Sequence, residues 1–186
     1  MPILGREDDI YPSDLLDGDT TLTDLDRNWW CVYTKSRREK DLMRKLASLR
    51  ISHYGPVVPK RYRSPNGRLR TSFVPLFANY VFMFGDDEDR QHAMNTNCIS
   101  KCNLIEDREA LVADLRQILK VVVAGVALTP EAKLSAGARV RVRTGPFAGY
   151  EGNVVRREGK TRLLLSIQYL AKGVSMEMDE GVLEPI

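Results

Sequence analysis

The stretch Arg139–Val155 reads RVRVRTGPFAGYEGNVV. Val140 and Val142 alternate with Arg139, Arg141 and Arg143, the period-two pattern of a half-buried strand. Gly145-Pro146 stops that strand and turns the chain. Gly149 and Gly152 follow Phe147, at positions where positive φ or close backbone approach is tolerated. Val154 and Val155 then restart an apolar run, so the stretch is strand, tight loop, strand. A glycine-rich loop invites a phosphate-binding reading. A phosphate-cradling loop, however, needs Gly-Lys-Ser/Thr opening a helix, and here a strand follows with no such lysine.

Beyond this block, Thr161–Gln168, Val174–Met178 and Val182–Leu183 read as three more short strands. Short strands at this density predict a small all-β barrel over residues 136–186. Before it, the composition shift around Val126–Ser135 predicts a linker over 125–135. A module this small gains stability from docking to a neighbour or partner.

Further upstream the signals alternate between the two periods. Asn28–Tyr33 (NWWCVY) is aromatic and β-branched and predicts a buried strand. Ser36-Arg-Arg-Glu39 matches a capping box, and Leu42, Met43, Leu46, Ala47 and Leu49 continue at helical spacing to about Arg50. Val57–Arg63 and Arg68–Val74 flank Ser64-Pro-Asn-Gly67, a hairpin signal. The second half of Pro75–Phe84 predicts a buried strand. Asp86 or Asp87 caps a short helix to about Met94. Ile99–Ile105 is a further strand. Asp107 then opens a helix with Leu111, Val112, Leu115, Ile118, Leu119 and Val122 on one face.

Among 186 residues, 43% are hydrophobic, enough for one or two cores, and no apolar run is long enough to span a membrane. Three sparse cysteines, Cys31, Cys98 and Cys102, predict a reducing, cytoplasmic setting. Cys98 and Cys102 with His53 or His92 make a poor metal set, because no second cysteine pair exists. No nucleophile motif or carboxylate pair predicts catalysis, so the chain is expected to be neither enzyme nor cofactor protein.

The net charge of +3 hides a segregation. Residues 1–27 hold eight acids against two arginines, a net of −6. They lack periodicity and an apolar leader, and predict a mobile acidic tail with no secretory signal. Residues 28–70 hold twelve Lys/Arg against Glu39 and Asp41, a net of +10. Such a block is either a nucleic-acid footprint or a solvated surface.

Taken together, Val140-x-Val142-x-x-Gly145-Pro-Phe-Ala-Gly149-x-x-Gly152-x-Val154 resembles a KOW motif, with Gly145, Pro146, Phe147, Gly149 and Gly152 forming its loop. Trp29-Trp-Cys-Val-Tyr33-Thr-Lys35 resembles the opening W-Y-x-x-x-T/C-K of the NusG family. Pro75-Leu-Phe77-Ala-Asn79-Tyr80-Val-Phe82 resembles that family's P-L-F-P-G/N-Y-V/L-F signature, with Ala78 in place of a proline. The likeness covers residues 28–186. It implies an α+β protein: an NGN-type antiparallel sheet with flanking helices over 28–124, joined to a small SH3-like KOW barrel. Leu163–Met178 resembles the specialised paralogs of the RfaH and UpxY type; a housekeeping NusG is the alternative.

The resemblance implies a non-enzymatic, cytoplasmic, monomeric elongation or antitermination factor. Its first domain would bind the clamp helices of the RNA polymerase largest subunit. Its barrel would recruit ribosomal protein S10 or the termination factor Rho. By motif position, Tyr33, Phe77, Tyr80 and Phe82 are the polymerase-binding candidates, although alternation also makes at least half of Tyr80–Phe84 core. His92 matches one residue of the RfaH element that meets the polymerase gate loop; Ala93 and Met94 depart from it. Lys35, Arg37 and Arg38 match the region that touches non-template DNA. Lys60, Arg61 and Arg63 extend the basic face toward DNA or nascent RNA. A KOW-type ribosomal protein is the competing reading, against which stand the acidic N-terminus and Glu177, Asp179, Glu180 and Glu184.

Overall fold

The computed structural model describes residues 6–131 and 137–186. The chain divides into two compact units, Met1–Arg108 and Glu109–Ile186.

In the first unit, antiparallel strands β1 (Ile10–Tyr11), β2 (Asn28–Thr34), β3 (Ser52–Tyr54), β6 (Tyr80–Gly85) and β7 (Ile99–Leu104) form one sheet in the order β1-β3-β6-β2-β7. Between β3 and β6, strands β4 (Val57–Arg63) and β5 (Leu69–Pro75) pair only with each other. One face of the larger sheet presents Trp30, Val32, Val81 and Met83. It packs on helices α2 (Glu39–Ser48) and α3 (Asp87–Asn95) through Leu42, Met43, Leu46 and Ala93. The other face presents Trp29, Cys31, Phe82 and Phe84, all buried. Strand alternation makes both faces apolar, so β2 and β6 read as near-continuous hydrophobic runs.

Helix α3 starts as its sequence predicts. The Asp86 carboxylate accepts from Asp89 N–H at 2.8 Å, and the Asp89 carboxylate accepts from Asp86 N–H at 3.3 Å. Helix α2 does not. The Ser36–Glu39 capping box is absent: the helix begins at Glu39 after Arg37 at φ 58° and Arg38. The Glu39 carboxylate instead accepts from Asn79 N–H at 2.7 Å, because β6 brings that turn to the helix start. Leu49, expected on the apolar face, is exposed.

The acidic tail expected over 1–27 is folded from residue 6 onward. Ile10 and Tyr11 pair with Tyr54 and His53, Leu15 and Leu16 are buried, and Thr20–Thr23 forms the short helix α1. The like charge is relieved locally. Buried Asp9 accepts from Val57 N–H at 3.1 Å and pairs with Arg6 at 3.2 Å. The Arg108 guanidinium donates to the carbonyls of Asp24 at 2.7 Å and Arg27 at 3.2 Å, which fastens the end of the segment.

The second unit holds α4 (Arg108–Val123, from Glu109 on) and strands β8 (Thr129–Glu131), β9 (Arg139–Val142), β10 (Glu151–Arg157), β11 (Lys160–Ile167), β12 (Lys172–Glu177) and β13 (Leu183–Pro185). They form one antiparallel sheet in the order β13-β9-β10-β11-β12-β8. The sequence places a domain boundary at 124; in the structure α4, from Glu109 on, groups with this sheet. The expected linker 125–135 contributes a sixth strand, Thr129–Glu131 on β12; residues 132–135 lie outside the described residues. Val140, Val142, Val155, Leu163, Leu165, Ile167, Val174 and Met176 fill its core.

Candidate functional site

Tyr33 and Tyr80 end the β2–β6 ladder as directly opposed residues. Their rings meet edge to face with centroids 5.2 Å apart, a favoured aromatic geometry. Tyr33 is 37% exposed and Tyr80 half-buried, so the pair closes the sheet yet offers an edge to a partner. Phe82 lies two pairs further in, opposite Cys31, and is fully buried. That removes Phe82 from any contact surface: in mid-strand its ring is core. Phe77 is 4% exposed, and its carbonyl accepts from Tyr80 N–H at 3.1 Å, so it supports the turn that aims Tyr80. His92 is exposed on α3, which packs on the opposite face of the sheet, so the fold does not bring it beside the tyrosines.

The six predicted cations fall in two places, the β2–α2 connection and β4. Lys35, Arg37 and Arg38 follow β2. Lys35 Nζ donates to Asn97 Oδ1, and Arg38 pairs with Asp41 at 3.0 Å. The Cys98 thiol at 3.3 Å and Lys45 hold the Asp41 carboxyl below the usual carboxylate range. Arg37 is exposed and has no partner among the described residues. Lys60, Arg61 and Arg63 lie on β4, all exposed. Sequence reasoning placed Arg68 and Arg70 on the same hairpin without assigning them a role; both are exposed too. None of these five forms an ion pair with a described residue. Ser64 and Gly67 close the turn through Ser64 N–H to Arg68 O at 2.9 Å and Gly67 N–H to Ser64 O at 2.8 Å.

In the second unit, the Gly145–Gly152 loop is held by Gly149 N–H to Val142 O at 2.7 Å and Val142 N–H to Tyr150 O at 2.8 Å. Gly149 has φ 86°. A Cβ at Gly152 would stand 2.4 Å from Leu164 O, so only glycine lets β10 approach β11 this closely. The Phe147 ring meets buried Tyr150 in a tilted pair with centroids 5.5 Å apart, and Lys120 Nζ lies 5.7 Å from the Tyr150 ring. Phe147, Pro146 and Tyr150 line an apolar cleft of about 360 Å³ with Leu119 and Val123 of α4. On the same helix, Asp114 accepts from Gln168 N–H at 3.0 Å and Gln117 from Glu151 N–H at 3.3 Å. Among the described residues no group of three or more His, Cys, Asp or Glu is arranged to hold a metal, and no helix is long and apolar enough to cross a membrane. The Cys102 thiol, pushed up to about 11 by burial, stays protonated.

These features define a two-unit α+β protein built on an antiparallel sheet with flanking helices. A family model described as transcription termination factor nusG matches residues 27–129, more than half of the chain. The chain therefore belongs to the NusG family, whose members are transcription factors rather than enzymes. No curated protein matches it. A solved structure described as the crystal structure of the MjSpt4:Spt5 complex, conformation B, is similar at 15% identity. The match covers 85% of this chain and 96% of that one, with a TM-score of 0.27.

Proposed function

We propose that the chain is a transcription elongation factor that binds RNA polymerase through its first unit. The exposed Tyr33–Tyr80 pair carries this reading. It is an edge-to-face aromatic couple at the open end of an otherwise buried sheet face, in the segment the family model covers. Interface hot spots are enriched in tyrosine beside well-packed supporting side chains, and Phe77 supplies that support. The clamp helices of the largest subunit are the intended partner, and suppression of pausing or termination the intended outcome. Lys35, Arg37, Arg38, Lys60, Arg61 and Arg63 face non-template DNA or nascent RNA. The second unit acts as a KOW-type module that recruits ribosomal protein S10 or Rho, with Phe147 at its contact loop. Among family branches, the RfaH and UpxY type fits best.

Tyr33→Ala tests the reading. The variant should keep its circular-dichroism spectrum and lose about 2 kcal/mol of polymerase binding. A folded variant that binds polymerase as tightly as the parent would sink it.

A further inference from the structure

We propose that the β4–β5 hairpin is a binding site for single-stranded nucleic acid, with Tyr62 as the stacking platform and Lys60 and Arg70 as its flanking phosphate contacts. The proposal rests on the reading that this chain meets nucleic acid. It goes further by naming the type of strand and by adding two residues, Tyr62 and Arg70.

The ladder register fixes who shares a face. Tyr62 stands directly opposite Arg70, and Lys60 opposite Ser72. Opposed side chains in an antiparallel pair start about 5 Å apart, and the next pair on that face lies about 7 Å along the strand. One face of the ribbon therefore carries a tyrosine ring with a cation across from it and a second cation one step down. Arg61 and Arg63 occupy the reverse face with Thr71 and Leu69.

Burial separates the foot of the hairpin from its outer half. Val57 and Phe73 join the core of the first unit. Tyr62 is 46% exposed and Leu69 65% exposed. Neither the Tyr62 ring nor any of the five cations is used in folding: none has an ion-pair or ring partner among the described residues. A tyrosine in a strand ordinarily packs against the pleated surface; this one is nearly half exposed and has no ring partner among the described residues.

An uncommitted ring flanked by uncommitted cations matches the chemistry of an unpaired nucleotide. The base stacks on the ring, and the phosphates on either side meet the cations. Duplex nucleic acid hides its base faces, so it would meet the cations but not the ring. An acidic peptide would likewise use the charges and leave the ring idle.

The full chain is titrated by fluorescence anisotropy against labelled oligothymidylate of about twelve nucleotides. A duplex of the same length is the second probe, and polyglutamate the competitor. The single strand should bind more tightly than the duplex at matched salt. Tyr62→Ala should weaken single-strand binding about tenfold with an unchanged salt slope, and Tyr62→Phe should restore it. Arg70→Ala should lower the slope of log affinity against log salt by about 0.7. Binding by Tyr62→Ala indistinguishable from the parent overturns the stacking assignment alone. Equal duplex binding, or displacement by polyglutamate at matched charge, reduces the hairpin to a general polyanion surface. If the parent binds neither oligonucleotide, the nucleic-acid reading itself fails. Polymerase is absent from the assay, so none of these outcomes touches the role of Tyr33.

Discussion

The β4–β5 hairpin and the C-terminal sheet are both antiparallel, and both are rich in arginine and lysine, but they treat their cations in opposite ways. In the sheet, Arg139 and Arg141 reach Glu151 at 3.2 and 2.7 Å, Arg156 reaches Glu180 at 2.8 Å, and Lys160 reaches Glu177 at 2.8 Å. Arg162 donates to Ser175 Oγ and O, each at 2.8 Å. Arg141 is the main reason that the Glu151 carboxyl is held low, and the Thr161 hydroxyl and Arg156 do the same for Glu180. On the hairpin, Lys60, Arg61, Arg63, Arg68 and Arg70 share one ribbon with no acid beside them. Like charges placed this close repel, and no ion pair among the described residues offsets that repulsion. The sheet has used its charge internally. The hairpin keeps its charge for something outside the chain.

The strongest test of this contrast reverses charge on both sides of it. Lys60→Glu with Arg70→Glu should lower the salt slope of oligonucleotide binding by about 1.4 or more, at ~0.7 per lost phosphate contact. The matched reversal of Arg139 and Arg156 should leave that slope unchanged. Equal losses from both pairs would erase the distinction between the two regions.

Packing is the next discriminator. Gly152→Ala pushes a Cβ into the Leu164 carbonyl and should cost the second unit about 1–3 kcal/mol in urea unfolding. The hairpin variants should cost nothing on the same scale. A Gly152→Ala protein as stable as the parent would mean that β10 and β11 separate more easily than their register implies.

A smaller effect follows from His53, which burial holds below the ordinary histidine range while its Nδ1 lies 2.9 Å from Ile51 O. The folded chain resists a proton that the unfolded chain accepts. Its contribution is therefore complete above about pH 6.5 and declines as pH falls from there toward the folded value. The second unit contains no histidine. Thermal unfolding followed from about pH 7.5 to 5.5 should show the first unit losing stability through His53 while the second unit draws nothing from histidine. His53→Asn should flatten the histidine-range change. An unchanged pH profile in that variant would remove His53 as the cause.

The smallest expected change is in the ion pairs themselves. Arg141→Ala should lower the melting temperature only slightly at low salt and less at high salt, because both partners are partly solvated. Arg63→Ala should be neutral or slightly stabilising. A larger loss from Arg63→Ala, read by the same melt, would reveal a structural duty for the hairpin charge.

Most strands and the three longer helices were legible because their signals are local. Asn66-Gly67 sets a hairpin, Asp86 caps its own helix, and period-two alternation marks β9 and β12. What escaped depends on partners distant in sequence. Ser52-His53-Tyr54 is too short and polar to signal a strand, yet all three residues are buried. Ile10–Tyr11 sits among acids whose count argues for disorder, and only Val57 and Arg6 show how Asp9 is accommodated. Glu39 finds Asn79, forty residues away, rather than Ser36. The candidate site was legible by residue type but not by depth. Tyr80 and Phe82 share a face by alternation, and only the point where the ladder ends tells which of them reaches solvent. The hairpin cations were legible as charge. Tyr62 was not singled out, since an aromatic in a strand ordinarily signals core.

Two residues of the N-terminal segment carry one more consequence. Ile10 and Tyr11 pair along the outer side of β3, which would otherwise end the sheet with a row of unsatisfied amide and carbonyl groups. An open edge of that kind is a template for another chain. A version of this protein trimmed to begin at Asn28 would keep its aromatic pair and its basic ribbon. It would also present β3 to its neighbours, and concentration-dependent self-association would be its characteristic fault.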